Sequence, residues 1–286
     1  MQQAIADSTA TRAQRRPRSR WARSKPRLYE PLPTLTYVLV ALLGMALLFG
    51  LWSAASYGQW VNPLFLPTPT LVWNAGVSQV NSGILWTDMG ASVSTIVLGF
   101  AISSAVAIPI GLLMGVYKHG EAFFEPPIDF IRYMPAVAFV PLSVIWFGPT
   151  TTQKLAILFI GIFFQEVLLV MDNVKTVRRN LVDIAYTMGL RQDQVIRRVI
   201  LRSSLPGIVD TLRISMGWAW TYLVVAELVG ASVGLGFRIQ QASRYLDTAT
   251  MFFDIIVIGI LGLAFDFGFK AIYAWSFPHM KHRGRR

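Results

Sequence analysis

The chain has 286 residues, of which 54% are hydrophobic and only 14% are charged. An ordinary soluble domain has roughly 25% charged residues, so this composition excludes a typical water-soluble globule. The formal charge is +11 and there is no cysteine, which excludes disulfides, thiolate metal sites and cysteine nucleophiles. The three histidines are scattered along the chain, and they predict no metal site.

Apolar stretches predict an all-α membrane protein, a helical bundle with six transmembrane helices. A helix needs about 20 apolar residues to cross a bilayer. Pro135 and Pro141 interrupt the third stretch, so we do not expect one straight helix there. Gly111 and Gly115 form a G-x-x-x-G pair in the second stretch, which favours close helix packing within the chain. The predicted spans are 35–55, 90–117, 133–149, 155–171, 207–229 and 251–275.

The positions of Lys and Arg predict the orientation, because these residues accumulate in short cytoplasmic segments. With the amino terminus inside, most of them fall on the cytoplasmic side, so both termini are predicted to be cytoplasmic. Residues 1–34 are predicted to be a disordered basic tail, and 277–286 a second basic tail. The first span is too long for a cleaved signal peptide. A tail lying on anionic lipid explains the first basic run better than a nucleic-acid arm does.

Motifs for catalysis are missing from the sequence. There is no G-x-x-x-x-G-K-[ST] loop for ATP, no H-E-x-x-H zinc motif and no G-x-S-x-G nucleophile motif. We therefore expect that the chain is not an enzyme by itself. A transporter built on it would take its energy from another chain or from an ion gradient.

The segment 172–206 lies between the fourth and fifth predicted spans and has an amphipathic middle. Val182, Ala185, Tyr186 and Gly189 follow the i, i+3, i+4, i+7 spacing of one helix face. A glycine at this place can end a helix in the left-handed conformation and lets another protein approach closely. The residues alone are consistent with a docking site for a protein and with a basic helix pair resting on lipid.

This segment resembles the cytoplasmic motif E-A-A-x3-G-x9-I-x-L-P of permease subunits of ATP-binding-cassette importers. Ile184 departs from the motif at its first alanine, and Arg202 departs at its proline. The matching residues are Asp183, Ala185, Gly189, Val199 and Leu201. The resemblance implies the fold of a type I importer permease and a coupling helix that rests on a separate cytoplasmic ATPase. The implied ATPase contacts are Asp183, Ala185, Tyr186, Gly189, Leu190 and Arg191.

A second motif indicates a subgroup of these importer permeases. The pattern R-x-x-P-x-x-A-x-x-P-L-x-x-x-W-F-G, from Arg132 to Gly148, and the LPTPT stretch at 66–70 are similar to the permeases of the nitrate, taurine and alkanesulfonate importer group. The substrate implied by this resemblance is a small anion: a sulfonate, taurine, nitrate, bicarbonate or an aromatic carboxylate. The sequence does not select one of them.

Ionisable residues inside the predicted spans are candidates for the translocation path or a gate. Such residues are costly at bilayer depth and face protein or water. For Glu227 and Glu166, a role in the path and a polar contact that joins two helices both remain open, and the same holds for Asp254 and Asp266. The candidates for the path or gate are Arg132, Pro135, Pro141, Glu166 and Glu227.

The resemblance implies a membrane-spanning permease of the bacterial inner membrane, with the transmembrane domain at 86–276. Its implied partners are a second permease chain in a homodimer, cytoplasmic ATPases, an external solute-binding protein and an anionic substrate. The chain itself would bind no cofactor, since ATP and magnesium belong to the ATPase. The rival readings are an ion-coupled secondary transporter or channel, and an intramembrane enzyme.

Overall fold

The computed structural model describes residues 33–278, so most of the two predicted basic tails lies outside the described residues. The chain divides into two compact units, one ending at Trp52 and one beginning at Ser53. The described residues form helices and no strands. The helices are α1 Thr34–Tyr57, α2 Pro69–Asn81, α3 Ile84–Val116, α4 Lys118–Arg132, α5 Val140–Phe147, α6 Thr151–Lys175, α7 Arg179–Thr187, α8 Gln192–Val195, α9 Leu201–Gly230, α10 Leu235–Arg244 and α11 Thr248–Ser276.

Four of the described helices, α1, α3, α6 and α11, are long and apolar enough to cross a membrane. Helix α4 and the following segment Ala136–Phe147 meet at an angle of 81°. Counted together as one broken span, they raise the number from four to five. The predicted break in the third span is therefore confirmed. The predicted fifth span lies inside α9, whose Asp210, Arg213 and Glu227 reduce its apolar character. The count of six spans and the side of the termini stay predictions.

Helices α3 and α6 approach each other closely at two glycines of α3. A Cβ atom on Gly111 would lie 2.7 Å from the carbonyl oxygen of Val167, and one on Gly115 would lie 2.5 Å from Cβ of Val174. Both distances are too short for a Cβ atom, so these two positions have no room for a side chain. The G-x-x-x-G pair therefore packs two helices of the same chain together, as the sequence predicted.

The largest core cluster joins α3, α6 and α9. Within lipid there is little hydrophobic gain from burying such side chains, so close packing supplies most of the attraction between the helices. Trp220 of α9 also contacts α11, where its ring meets the ring of Phe265 edge-on. The buried members of the cluster are Ile96, Phe100, Leu158, Ile162, Met216, Ala219, Trp220 and Leu223.

Three helices outside the predicted spans were not foreseen: α2, α4 and α10. The LPTPT stretch now has a physical explanation, because it starts α2. Thr68 is the N-cap, and its hydroxyl accepts a hydrogen bond from the Leu71 amide at 3.4 Å. Pro69 follows at the first helical position, where its fixed φ and missing N–H cost nothing.

Candidate functional site

The predicted coupling segment folds as a short helix followed by a sharp turn. Helix α7 ends at Thr187, and Gly189 adopts φ +80°, which is left-handed. The Gly189 amide donates to the Tyr186 carbonyl at 2.9 Å, and the Leu190 amide donates to the Ala185 carbonyl at 3.1 Å. These are the hydrogen bonds of a glycine helix end. The predicted glycine break is therefore confirmed.

The two sides of α7 differ in exposure. Ala185 is buried and Val182 is half-buried, so this side of the helix packs against the rest of the chain. Tyr186, grouped with them in the sequence, is instead 48% exposed. The other side carries Leu181, Ile184 and Met188, which are exposed by 45%, 54% and 75%. We call these three residues the α7 ridge.

The remaining predicted contact residues lie on the same segment. Asp183 and Arg191 are exposed, and Leu190 is half-buried. The Arg191 amide donates to the Gln194 side-chain oxygen at 3.2 Å, which helps to start α8. Between α8 and α9, residues Ile196–Ile200 form a π-helical turn. The loop therefore continues into α9 as helix, and the chain does not turn away after Leu201.

At the opposite end of α9, Glu227 belongs to a buried polar network. Its carboxylate accepts from the Ser92 hydroxyl at 2.8 and 3.0 Å and from the Gly236 amide at 2.8 Å. The Ser92 oxygen in turn accepts from the Leu235 amide at 2.9 Å. Asp88 accepts from the Gly234 amide at 2.9 Å. The amides of the N-cap residue Gly234 and of the first two residues of α10 thus meet two carboxylates and one hydroxyl, which is favourable at a helix N-terminus.

We call Asp88, Ser92, Glu227 and the Gly234 backbone the α10 clamp. Gly234 is required there, since a Cβ would lie 2.5 Å from the Glu227 carboxylate and its φ is +132°. Two cations balance the acidic groups. Arg238 donates to Asp88 at 2.9 Å, and the buried Lys154 of α6 is near enough to attract Glu227 electrostatically. The clamp therefore joins α3, α9 and α10.

Glu227 was predicted as a site residue from the sequence, whereas Asp88 and Ser92 of the clamp, and also Arg238, were not. The only signal was that Asp88 is the first charged residue after Glu30. Two interpretations of Glu227 were left open, a role in the path and a polar contact that joins helices. The hydrogen bonds of Glu227 to α3 and α10 agree with the second. Its place in a path or gate stays a prediction.

The broken third span holds a small polar cavity of about 90 Å³. Arg132 and Pro135 line it, together with Gln165 of α6 and Tyr222 of α9. The Arg132 guanidinium is paired with Asp129 at 2.8 Å and lies over the Tyr133 ring. Pro141 stands apart in the first turn of α5, where a proline is tolerated.

Glu166 lies elsewhere, in the packed interior. It is fully buried on α6 beside the Ser104 hydroxyl of α3, and no ion pair described for residues 33–278 includes it. Asp254 is similarly buried on α11 beside Gln79, whereas Asp266 pairs with Arg213 and Lys270. The cavity therefore brings Arg132 and Pro135 together, and neither glutamate is among its lining residues. In the part of the chain that the structure describes, no group of three acidic or histidine side chains could hold a metal ion.

Comparison with known proteins assigns the family. Residues 107–282 match the family described as the inner membrane component of binding-protein-dependent transport systems. The chain belongs to this family. The permease is 33% identical over 245 residues to the taurine transport system permease protein TauC of Escherichia coli K12, covering 84% of this chain and 89% of TauC. It is 28% identical to the formylaminopyrimidine transport permease protein ThiX of Halalkalibacterium halodurans, covering 86% of this chain and 94% of ThiX.

Solved structures show the same fold. The permease matches a chain of the inward-facing MetNI methionine ABC transporter with a TM-score of 0.57 and 18% identity, covering 67% of this chain and 96% of that one. The predicted fold of a type I ABC importer permease is thereby confirmed. The apolar helices and the family together make the chain a multi-pass protein of the bacterial inner membrane.

Proposed function

We propose that this permease, working as a homodimer, carries a small anion of the sulfonate, taurine, nitrate or bicarbonate class across the inner membrane. The similarity to TauC over 84% of the chain supports the substrate class, and family membership supports the partners, an ATPase and an external binding protein. The permease is not catalytic in this proposal and binds no cofactor. ATP and magnesium are bound by the ATPase.

The α7 ridge is the surface that contacts the ATPase. It is the single observation that carries the coupling proposal, because three large apolar side chains stand exposed beside a charged loop. The left-handed Gly189 ends the helix, and a Cβ there would meet nothing within 4 Å, so a partner can approach the turn. Asp183, Tyr186 and Arg191 are exposed around the ridge and supply its polar margin.

Transport follows from switching between two arrangements of the paired permeases. ATP closes the ATPases and displaces the α7 ridge, and the helices then change from inward-facing to outward-facing as rigid bodies. ATP must favour one arrangement, since a ligand with equal affinity for both shifts nothing.

The anion passes the broken third span in this proposal. The cavity beside Arg132 offers a guanidinium, the Gln165 amide and the Tyr222 side chain, which suits weak and reversible binding. Asp129 already neutralises much of the Arg132 charge, so the anion is not held tightly. Pro135 and Pro141 keep the backbone of this span from forming a straight helix. Glu166 remains a candidate for the path with no observed contact to this cavity.

The coupling role is tested by purifying the tagged full-length permease from its own membranes in mild detergent. We expect the ATPase to be recovered in equal amount with the wild type. Gly189→Arg should elute as a folded protein by size exclusion but lose the ATPase, since the bulky cation fills the turn. Arg198→Gln, also exposed on this segment, is the matched control and should retain it. If Gly189→Arg retains the ATPase and transports at the normal rate, α7 is not the coupling helix.

A further inference from the structure

A groove of about 390 Å³ lies where α3 and α6 end, beside the coupling segment. One part of its lining is apolar, formed by Val116, Val174, Val177, Val182 and Ile200, with Gly115. The other part is cationic, formed by Lys118, Lys175 and Arg179. The groove is therefore amphipathic, and no residue of the proposed translocation path lines it.

The three cations carry more charge than their neighbours neutralise. Glu121 bridges Lys118 at 2.8 Å and Lys175 at 3.2 Å. The hydrogen bond from Lys118, and next the one from Lys175, hold the pKa of Glu121 below its usual value of 4.5, so this carboxylate is ionised at neutral pH. Arg179 belongs to no ion pair described for residues 33–278. The groove keeps a net charge of about two positive units, which suits a monoanionic or dianionic headgroup.

The groove lies at the ends of two apolar helices. Gly115 and Val116 are the last residues of α3, and Val174 and Lys175 the last of α6, and both helices are apolar enough to span the membrane. We therefore place the edge of the hydrocarbon near the groove. Under the proposed function this boundary is the cytoplasmic one, which faces the anionic inner leaflet.

We propose that this groove binds the headgroup of an acidic phospholipid from the leaflet on the side of the coupling segment. Lys118, Lys175 and Arg179 pair with the lipid phosphate, and the valine-rich wall contacts the glycerol and the first methylenes of the acyl chains. This is a lipid site distinct from substrate transport and from ATPase docking.

Helix geometry keeps the lipid and the ATPase apart on α7. With 100° per residue, Arg179 and Val182 lie on the side of the helix that lines the groove. Leu181 and Ile184 lie about 100° and 160° from Val182 around the helix, and the C-cap residue Met188 follows on the same exposed side. A lipid in the groove would therefore contact the Arg179 and Val182 side of α7, while the α7 ridge stays accessible to the ATPase.

The test titrates the purified full-length permease in detergent with phosphatidylglycerol or phosphatidylcholine of matched acyl chains and counts bound lipids by native mass spectrometry. We expect the wild type to retain phosphatidylglycerol preferentially. Each cation near an anionic headgroup contributes about fivefold in affinity, so the double variant K118Q/R179Q should lose roughly 25-fold of that preference. Arg198→Gln does not line the groove and should lose almost none. Size exclusion confirms that each variant is folded.

Three results would overturn the proposal. Equal binding of the two lipids by the wild type would show that the groove does not select charge. An equal loss in Arg198→Gln would assign the effect to overall charge. If K118Q/R179Q kept its lipid preference but lost the co-purified ATPase, the groove would belong to the ATPase. Bound lipid and recovered ATPase are counted separately in each preparation, so a failure of the coupling proposal leaves the lipid result readable.

Discussion

The two ends of α9 are built in opposite ways. At the α10 clamp, each carboxylate is almost completely buried and accepts hydrogen bonds from more than one donor. At the coupling segment, the α7 ridge and most charged residues are exposed. A buried and satisfied network holds one arrangement, whereas an exposed apolar ridge is left for a partner. Changes at the clamp should therefore affect stability, and changes at the coupling segment should affect assembly.

Glu227→Ala should have the largest effect on stability. It removes the acceptor of the Ser92 hydroxyl and of the Gly236 amide in a site closed to water, and each lost bond leaves a buried donor unsatisfied. We expect a loss of about 2–4 kcal/mol, seen as a lower Tm of the detergent-purified permease. Glu227→Gln keeps one acceptor oxygen and should lose less. An unchanged Tm in Glu227→Ala would show that the clamp does not stabilise the fold.

Gly234 and Gly189, two of the glycines with positive φ, give the next test, because the first is crowded and the second is open. Gly234→Ala introduces a Cβ next to the Glu227 carboxylate and strains the backbone, so a loss of about 1–3 kcal/mol is expected. Gly189→Ala meets no atom within 4 Å and should lose only about 1 kcal/mol. Thermal unfolding of both variants measures the difference. Equal losses would mean that crowding at the clamp contributes nothing.

Ile184→Asp should leave the unfolding temperature nearly unchanged, since the side chain is exposed. Its effect should instead be on assembly, because a carboxylate in an apolar contact must lose its water. We expect at least a tenfold lower recovery of the ATPase, on the order of the 1–2 kcal/mol that one interface side chain contributes. Asp183→Asn is the neighbouring control with a smaller expected effect. Full recovery with Ile184→Asp would place the contact elsewhere.

The smallest effect concerns pH. Because the folded-state pKa of Glu121 is lowered, mainly by Lys118, its ion pairs stabilise the fold above pH 4.5 and lose this contribution as the pH falls through the lowered value. The Tm of the wild type should thus fall more steeply below pH 4.5 than that of Glu121→Gln. The exposed pairs limit the difference. Parallel curves would show that this bridge does not stabilise the fold.

Local sequence patterns were sufficient for the features that depend on neighbours along the chain. Hydropathy located the four long apolar helices α1, α3, α6 and α11, and the glycine at 189 marked the end of a helix. The clamp could not be predicted from local patterns, since Ser92 and Glu227 are 135 residues apart in the sequence and Gly234 and Asp88 are 146 apart. Periodicity also left the docking side of α7 ambiguous. Apolar residues occupy both sides of that helix, and only tertiary packing shows that Ala185 is buried and Ile184 exposed.

Helix α9 links the two ends, because it runs from Leu201 beside the π-helical turn to Gly230 beside the clamp. Thirty residues at 1.5 Å each make a rod of about 45 Å. Helix α9 stays helical through Pro206 in its second turn, and where it tilts as one body, each degree of tilt about one end displaces the other end by about 0.8 Å. A tilt of a few degrees imposed at the coupling segment would thus shift the start of α10 by a few ångströms.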